Sequence, residues 1–237
     1  MEPGWKPKFK KMKKEYWLIS FVAVLIAHIT GIQINNELLE QVSKPLLLLV
    51  LAGYFLSQTK GIGSGLSKWV LLALSFSWVG DVLLMFVPKE AIFFLLGLSA
   101  FLIAHIFYII FFHHVRIKEQ VRGNPWLLVV VVIYYAALIN LLSPYLFDMK
   151  IPVLVYGVVI SFMLMLALHM LRIKNKSAGK WMMMGALLFV ISDSTLAINK
   201  FYQPFAAANV LIMLTYGLAQ LFIVKGAADY INSVDKG

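Results

Sequence analysis

The chain has 237 residues, of which 61% are apolar and only 14% charged, against roughly half apolar and a quarter charged in a soluble domain. That balance excludes an ordinary water-soluble globule, and it argues against a nucleic-acid partner despite 21 Lys and Arg against 11 Asp and Glu. With no cysteine, disulfides, thiolate nucleophiles and thiolate-bound metals are also excluded, which leaves Asp, Glu, His, Lys, Ser and Tyr for any chemistry.

Residues 1–16 form a basic tail, expected on the anionic cytoplasmic face of a membrane. A cleaved signal peptide is the competing reading, but the apolar run that follows is too long and no small-x-small cleavage site succeeds it. Apolar runs then fall at 17–35, 43–58, 66–87, 90–113, 125–143, 151–172, 179–198 and 206–226, against the 17–25 residues that cross about 30 Å of hydrocarbon. The expectation is an all-α integral membrane fold of eight transmembrane helices spanning 17–226, followed by a short cytoplasmic tail, 227–237. Short connections bearing Pro or Gly predict antiparallel neighbours in one bundle.

Seventeen of the 21 Lys and Arg fall on the side that holds both ends of an eight-span chain, and only Lys44, Lys89, Lys150 and Lys200 on the other. By the positive-inside rule both termini are cytoplasmic. The expected location is the bacterial inner (cell) membrane.

The second run opens Ser43-Lys44-Pro45. Pro suits a first helical turn, so Lys44 is expected at a helix mouth. The third contains Gly80-Asp81, and the fourth places Gly97, Phe101, His105 and Tyr108 at offsets of four, four and three, hence on one helical face. The seventh contains Ser192-Asp193, and the eighth puts Asn209, Tyr216 and Gln220 on one face. Other features are blander. His113 and His114 beside Arg116 read as a solvated helix end, and His28 and His169 lack a spacing partner. No His-Glu-x-x-His signature appears, so neither metal nor cofactor is expected. Residues 97–101 carry half of a nucleophile-elbow pattern in mid-helix, which argues against a serine hydrolase. The run Gly61-Ile62-Gly63-Ser64-Gly65 lacks the Lys-Ser or Lys-Thr of a phosphate loop.

Lys68-Trp69 precedes Asp81 by eleven intervening residues, and Lys180-Trp181 precedes Asp193 by the same eleven. A shift of 112 also lays His28 over Asn140 and Tyr108 over Gln220. Two parallel four-helix repeats, related by an axis along the membrane normal, would produce this echo. The two aspartates then lie at matched depth, roughly 20 Å above the inner interface at 1.5 Å per residue. They are the acids that fall well inside predicted spans. Intramembrane carboxyls cost several kcal/mol on insertion scales and mark function by default; helix-packing polar residues are the competing account. Two carboxyls on one low-dielectric cavity do not both ionise easily, which supplies an acid and a base to a single site. Proton-coupled or small-solute transport could use the same pair and is the alternative to an enzyme.

The Ser-Lys-Pro opening, Gly80-Asp81, the Gly97, Phe101, His105, Tyr108 face and Ser192-Asp193, in this order and in an eight-span frame, resemble the YhhN-like family of membrane proteins, the lysoplasmalogenases. The resemblance covers about residues 17–226. It implies hydrolysis of the vinyl ether of a single-chain ether phospholipid, giving a fatty aldehyde and a glycerophospho-ethanolamine or glycerophosphocholine. On that reading Asp81 and Asp193 are the catalytic acid and base, and Lys44, His105, Tyr108, Asn209, Tyr216 and Gln220 line the substrate site, with Lys44 drawing the phosphate to the outer mouth. Partners are that lipid and the surrounding membrane lipids, and the oligomeric state is left open. His105 is expected nearer the inner side than the aspartates.

Overall fold

The computed structural model describes residues 14–235. The basic segment carrying Lys6, Lys8, Lys10, Lys11 and Lys13, together with Lys236, lies outside the described residues. Eight helices follow in order: α1 (Lys14–Ile34), α2 (Glu37–Thr59), α3 (Ser67–Leu84), α4 (Ile92–Lys118), α5 (Pro125–Leu142), α6 (Lys150–His169), α7 (Lys176–Ala197) and α8 (Ala208–Asp235). All eight are long and apolar enough to cross a membrane, and no strand occurs among the described residues. Lys14 Nζ lies 3.7 Å from Asp229 Oδ1, so the start of α1 and the last turns of α8 share one end of the bundle, as an even number of crossings requires.

Two boundaries differ from the hydropathy reading. Helix α2 begins at Glu37, where the Asn36 side chain caps it by accepting from Leu39 N at 3.0 Å. Pro45 is therefore inside the helix, not in its first turn, and Lys44 is two turns in. The cause is physical: Glu37, Glu40 and Gln41 are too polar to register as a span, yet they are good helix formers behind a good cap. Pro45 still finds a use, since its carbonyl accepts from Trp78 Nε1 at 3.1 Å and ties α2 to α3. Helix α8 runs past residue 226 with Ala227, Ala228, Tyr230 and Ile231 buried.

Helices α1 and α2, α3 and α4, and α7 and α8 pack as close neighbours. Across the halves, α4 packs on α6 and α2 on α8, so the second helix of each half meets the fourth of the other. The α3–α4 approach depends on absent side chains: a Cβ on Gly97 would sit 2.7 Å from Leu84 Cδ2 and 3.4 Å from the Gly80 carbonyl oxygen. Small residues of this kind let membrane helices close on one another without a hydrophobic drive. Helix α5 is peripheral, packed chiefly on α6, with Trp126 and Ile133 turned outward.

The end bearing the termini is filled by Tyr54, Phe55, Tyr108, Phe111, Phe112 and Tyr230, all fully buried. The opposite end is hollow, and both intramembrane aspartates face that hollow.

Candidate active site

A cavity of about 630 Å³ opens between the ends of α2, α3, α6, α7 and α8 that lie away from the termini. That volume is within the range of small-molecule sites. Its floor carries Asp81 of α3 and Asp193 of α7, and its walls are apolar, with Leu84, Leu98, Phe101, Val153 and Met213 among them.

Asp81 is almost fully buried, directly after the glycine that lets Phe101 of α4 lie against α3. Its Oδ2 accepts from the Tyr216 hydroxyl at 2.7 Å, and its Oδ1 lies 3.9 Å from Lys44 Nζ. That separation makes an ion pair but exceeds the 2.7–2.9 Å of a direct charge-assisted hydrogen bond. Lys44 is held in turn by its helix: the neighbouring Ser43 hydroxyl donates to Leu39 O at 2.5 Å and meets His28 Nδ1 at 2.8 Å.

Asp193 is more open, with 16% of its side chain exposed against 2% for Asp81. Its Oδ2 accepts from the Tyr156 hydroxyl of α6. The nearest base is neither Lys nor Arg but His105, whose Nε2 is 3.8 Å from the same oxygen. His105 is completely buried; the Phe101 carbonyl one turn back is close, yet neither ring nitrogen meets hydrogen-bond geometry with a protein partner. Its ring is clamped edge-on by Phe189 at 4.6 Å and Tyr156 at 5.4 Å between centroids. Phe189 also abuts Tyr216 at 5.5 Å. A belt of aromatic rings thus links the two carboxyls.

The residues singled out in the sequence divide into two levels. Asp81, Asp193, Lys44, Asn209 and Tyr216 line the cavity. His105 lies just beneath, within reach of Asp193 rather than remote from it. Tyr108 and Gln220 do not reach the cavity: the Tyr108 hydroxyl donates to Gln220 Oε1 at 2.6 Å, and Gln220 Nε2 donates to Ser77 Oγ at 3.0 Å, a closed and fully buried network. Lys44 is turned inward onto Asp81 instead of standing free at the mouth.

Tyr156 was missed. One signal pointed to it: it follows Lys44 by 112 residues, the spacing that separates Asp81 from Asp193. Each aspartate thus takes a polar partner from the corresponding position of the helix before it, a lysine in one half and a tyrosine in the other. Also missed were the charges at the rim, Glu37, Glu40, Lys89 and Lys200.

A family model described as the YhhN family matches residues 39–227. Among curated proteins, the human lysoplasmalogenase TMEM86B is 34% identical over 192 residues, covering 78% of this chain and 73% of its own. The pig protein of the same name is 36% identical over 165 residues, covering 68% and 64%. A lysoplasmalogenase of Mycobacterium tuberculosis is 33% identical over 162 residues, covering 67% and 60%. No solved structure matches the chain significantly.

Proposed function

Because the chain belongs to the YhhN family, we propose that it is an intramembrane hydrolase that cleaves the vinyl ether of lysoplasmalogens, with Asp193 as general acid and Asp81 as the carboxylate that receives the developing cation and activates water. The observation that carries this reading is the pair of carboxyls on the floor of one lipid-sized cavity. Relatives named lysoplasmalogenases support the reaction class. The division of roles rests on neighbours: a buried carboxylate needs a compensating cation, and Lys44 supplies one to Asp81 but not to Asp193.

The proton of Asp193 goes to the β-carbon of the double bond, whose π electrons form the new C–H bond and leave an oxocarbenium ion. Water adds to that carbon and gives a proton to Asp81, forming a hemiacetal. The hemiacetal hydroxyl returns its proton to Asp193 as the C–O bond breaks, and Asp81 protonates the leaving glycerol oxygen. Aldehyde and alcohol are released, and both carboxyls regain their starting states. Neither an acyl-enzyme nucleophile nor an oxidant is needed.

The deciding experiment incubates purified protein in detergent with 1-alkenyl, 1-acyl and 1-alkyl lysophospholipids. Aldehyde from the alkenyl lipid alone, with slower turnover in heavy water, is expected. Release of fatty acid from the acyl lipid would overturn the reaction type, and inertness toward all three together with solute uptake in proteoliposomes would favour transport. Topology belongs to the same reading: the cavity faces away from the cytoplasm, with both termini inside. Since the chain has no native cysteine, single cysteines near 62, 120 and 176 are expected to label from inside and those near 38, 89 and 148 from outside.

A further inference from the structure

The rim of the cavity carries four charged residues that the chemistry above does not use. Glu37 and Glu40 come from the first turn of α2, Lys89 from the α3–α4 connection and Lys200 from the π-helical turn after α7. We propose that this rim is a subsite for a zwitterionic headgroup, a phosphodiester followed by an ammonium, with Lys89 and Lys200 receiving the phosphate and Glu37 and Glu40 the ammonium. The proposal rests on the reading of the cavity as a lysolipid site and specifies which headgroups it takes.

Charge economy is the first argument. This end of the bundle holds only four of the chain's 21 Lys and Arg. Three of the four, Lys44, Lys89 and Lys200, line the one cavity, and Lys150 does not. Lys44 is engaged with Asp81, so a phosphate must find its countercharge higher up. Lys89 and Lys200 have no carboxylate within 4.0 Å among the described residues, and Glu37 and Glu40 likewise have no cation there. Instead each ammonium rests over a ring, Lys89 over Phe86 at 5.0 Å and Lys200 over Phe94 at 5.2 Å. Two cations and two anions facing one cavity without pairing among themselves match a ligand that brings both signs.

Level is the second argument. At 1.5 Å per residue, Glu40 stands about 6 Å and Glu37 about 10 Å above Lys44 along α2. Lys89 follows Asp81, and Lys200 follows Asp193, by two helical turns or slightly more. In a lysolipid five bonds join the ether oxygen to phosphorus, a reach of roughly 6 Å when extended. With the vinyl ether at the carboxyls, the phosphate reaches the level of the rim, and the ammonium reaches just above it.

The test measures binding in detergent of uncleavable 1-O-alkyl lysophospholipids bearing phosphoethanolamine, phosphocholine or phosphoglycerol. Wild-type protein is expected to bind both ammonium headgroups on the order of tenfold more tightly than phosphoglycerol. The Glu37→Gln/Glu40→Gln double variant is expected to erase that difference by weakening only the ammonium forms. Lys89→Met/Lys200→Met is expected to weaken all three alike, on the order of tenfold, and Lys150→Met to change nothing. Thermal unfolding in the same detergent checks that each variant is folded. Wild-type binding indifferent to headgroup, no binding of any probe, or Glu variants that weaken all probes equally would overturn the subsite. These probes have no vinyl ether, so headgroup-selective binding combined with failure to release aldehyde would remove the hydrolase reading and leave the subsite standing.

Discussion

Asp81 and Asp193 occupy corresponding positions in the two halves and differ in what surrounds them. Asp81 is sealed, with a tyrosine hydroxyl on one oxygen and an ammonium beside the other. Asp193 is the more accessible, with a tyrosine hydroxyl and an unbonded, wholly buried histidine on the same oxygen. Paired positions can therefore carry different charge states, because at the corresponding sites of α2 and α6 one half places a lysine and the other a tyrosine. The comparison teaches that the site's asymmetry resides in the partners and not in the acids.

Removing either acid gives the largest expected effect. Asp193→Asn and Asp81→Asn each lower kcat for the alkenyl lipid by about 10²- to 10⁴-fold, and the double variant is little worse than the worse single, because the two act as a unit. Additive losses, measured by aldehyde release, would break the idea of one shared site. Lys44→Met comes next. It leaves the Asp81 carboxylate buried without its cation, at a cost of roughly 3 kcal/mol in stability and a substantial loss of turnover. Adding Asp81→Asn should restore the thermal midpoint but not the activity; a midpoint unmoved by Lys44→Met alone would mean that Asp81 is not the charged member.

The tyrosines sharpen the contrast. Tyr156→Phe takes away the hydrogen-bond donor that Asp193 has in the protein, whereas Tyr216→Phe leaves Asp81 its lysine. A lost hydrogen bond to a charged or buried carboxyl costs about 1.5–3 kcal/mol, and kcat should fall further in Tyr156→Phe than in Tyr216→Phe. Equal losses would erase the asymmetry.

Helix packing gives a smaller effect. A Cβ on Gly185 would lie 2.7 Å from both Ala219 O and Ile223 N of α8, whereas a Cβ on Gly97 meets the flexible end of Leu84. Gly185→Ala should cost about 1–3 kcal/mol of stability and Gly97→Ala less, as read from thermal unfolding. Smallest of all, Tyr108→Phe removes one bond of a network that Gln220 keeps with Ser77. About 0.5–1.5 kcal/mol of stability is at stake, with kcat unchanged.

Much of the architecture was legible in the sequence because hydrocarbon imposes it. Each crossing needs a long apolar run, and the rarity of acids within such runs singled out Asp81 and Asp193. The start of α2 was not legible: hydropathy registers contact with lipid, and Glu37 to Gln41 form helix at the rim of the cavity. The depth of His105 was misjudged for a related reason. Counting residues locates Cα atoms, but helical side chains lean toward their own N-terminus. Helix α4 starts at the cavity end and α7 at the other, so His105 and Asp193 lean toward each other and meet.

Sequence by itself determined the number of crossings, the two intramembrane acids and their matched spacing, since each follows from local composition measured against a membrane of set thickness. Tertiary structure alone decided which neighbours those acids have. Tyr216 reaches Asp81 across 135 residues and Tyr156 reaches Asp193 across 37, and contacts of that range depend on which helix faces which. A tyrosine on an apolar helix reads the same whether it meets lipid, packs in a core or donates to a carboxylate; only the packing of α6 on α7 and of α8 on α3 separates those fates.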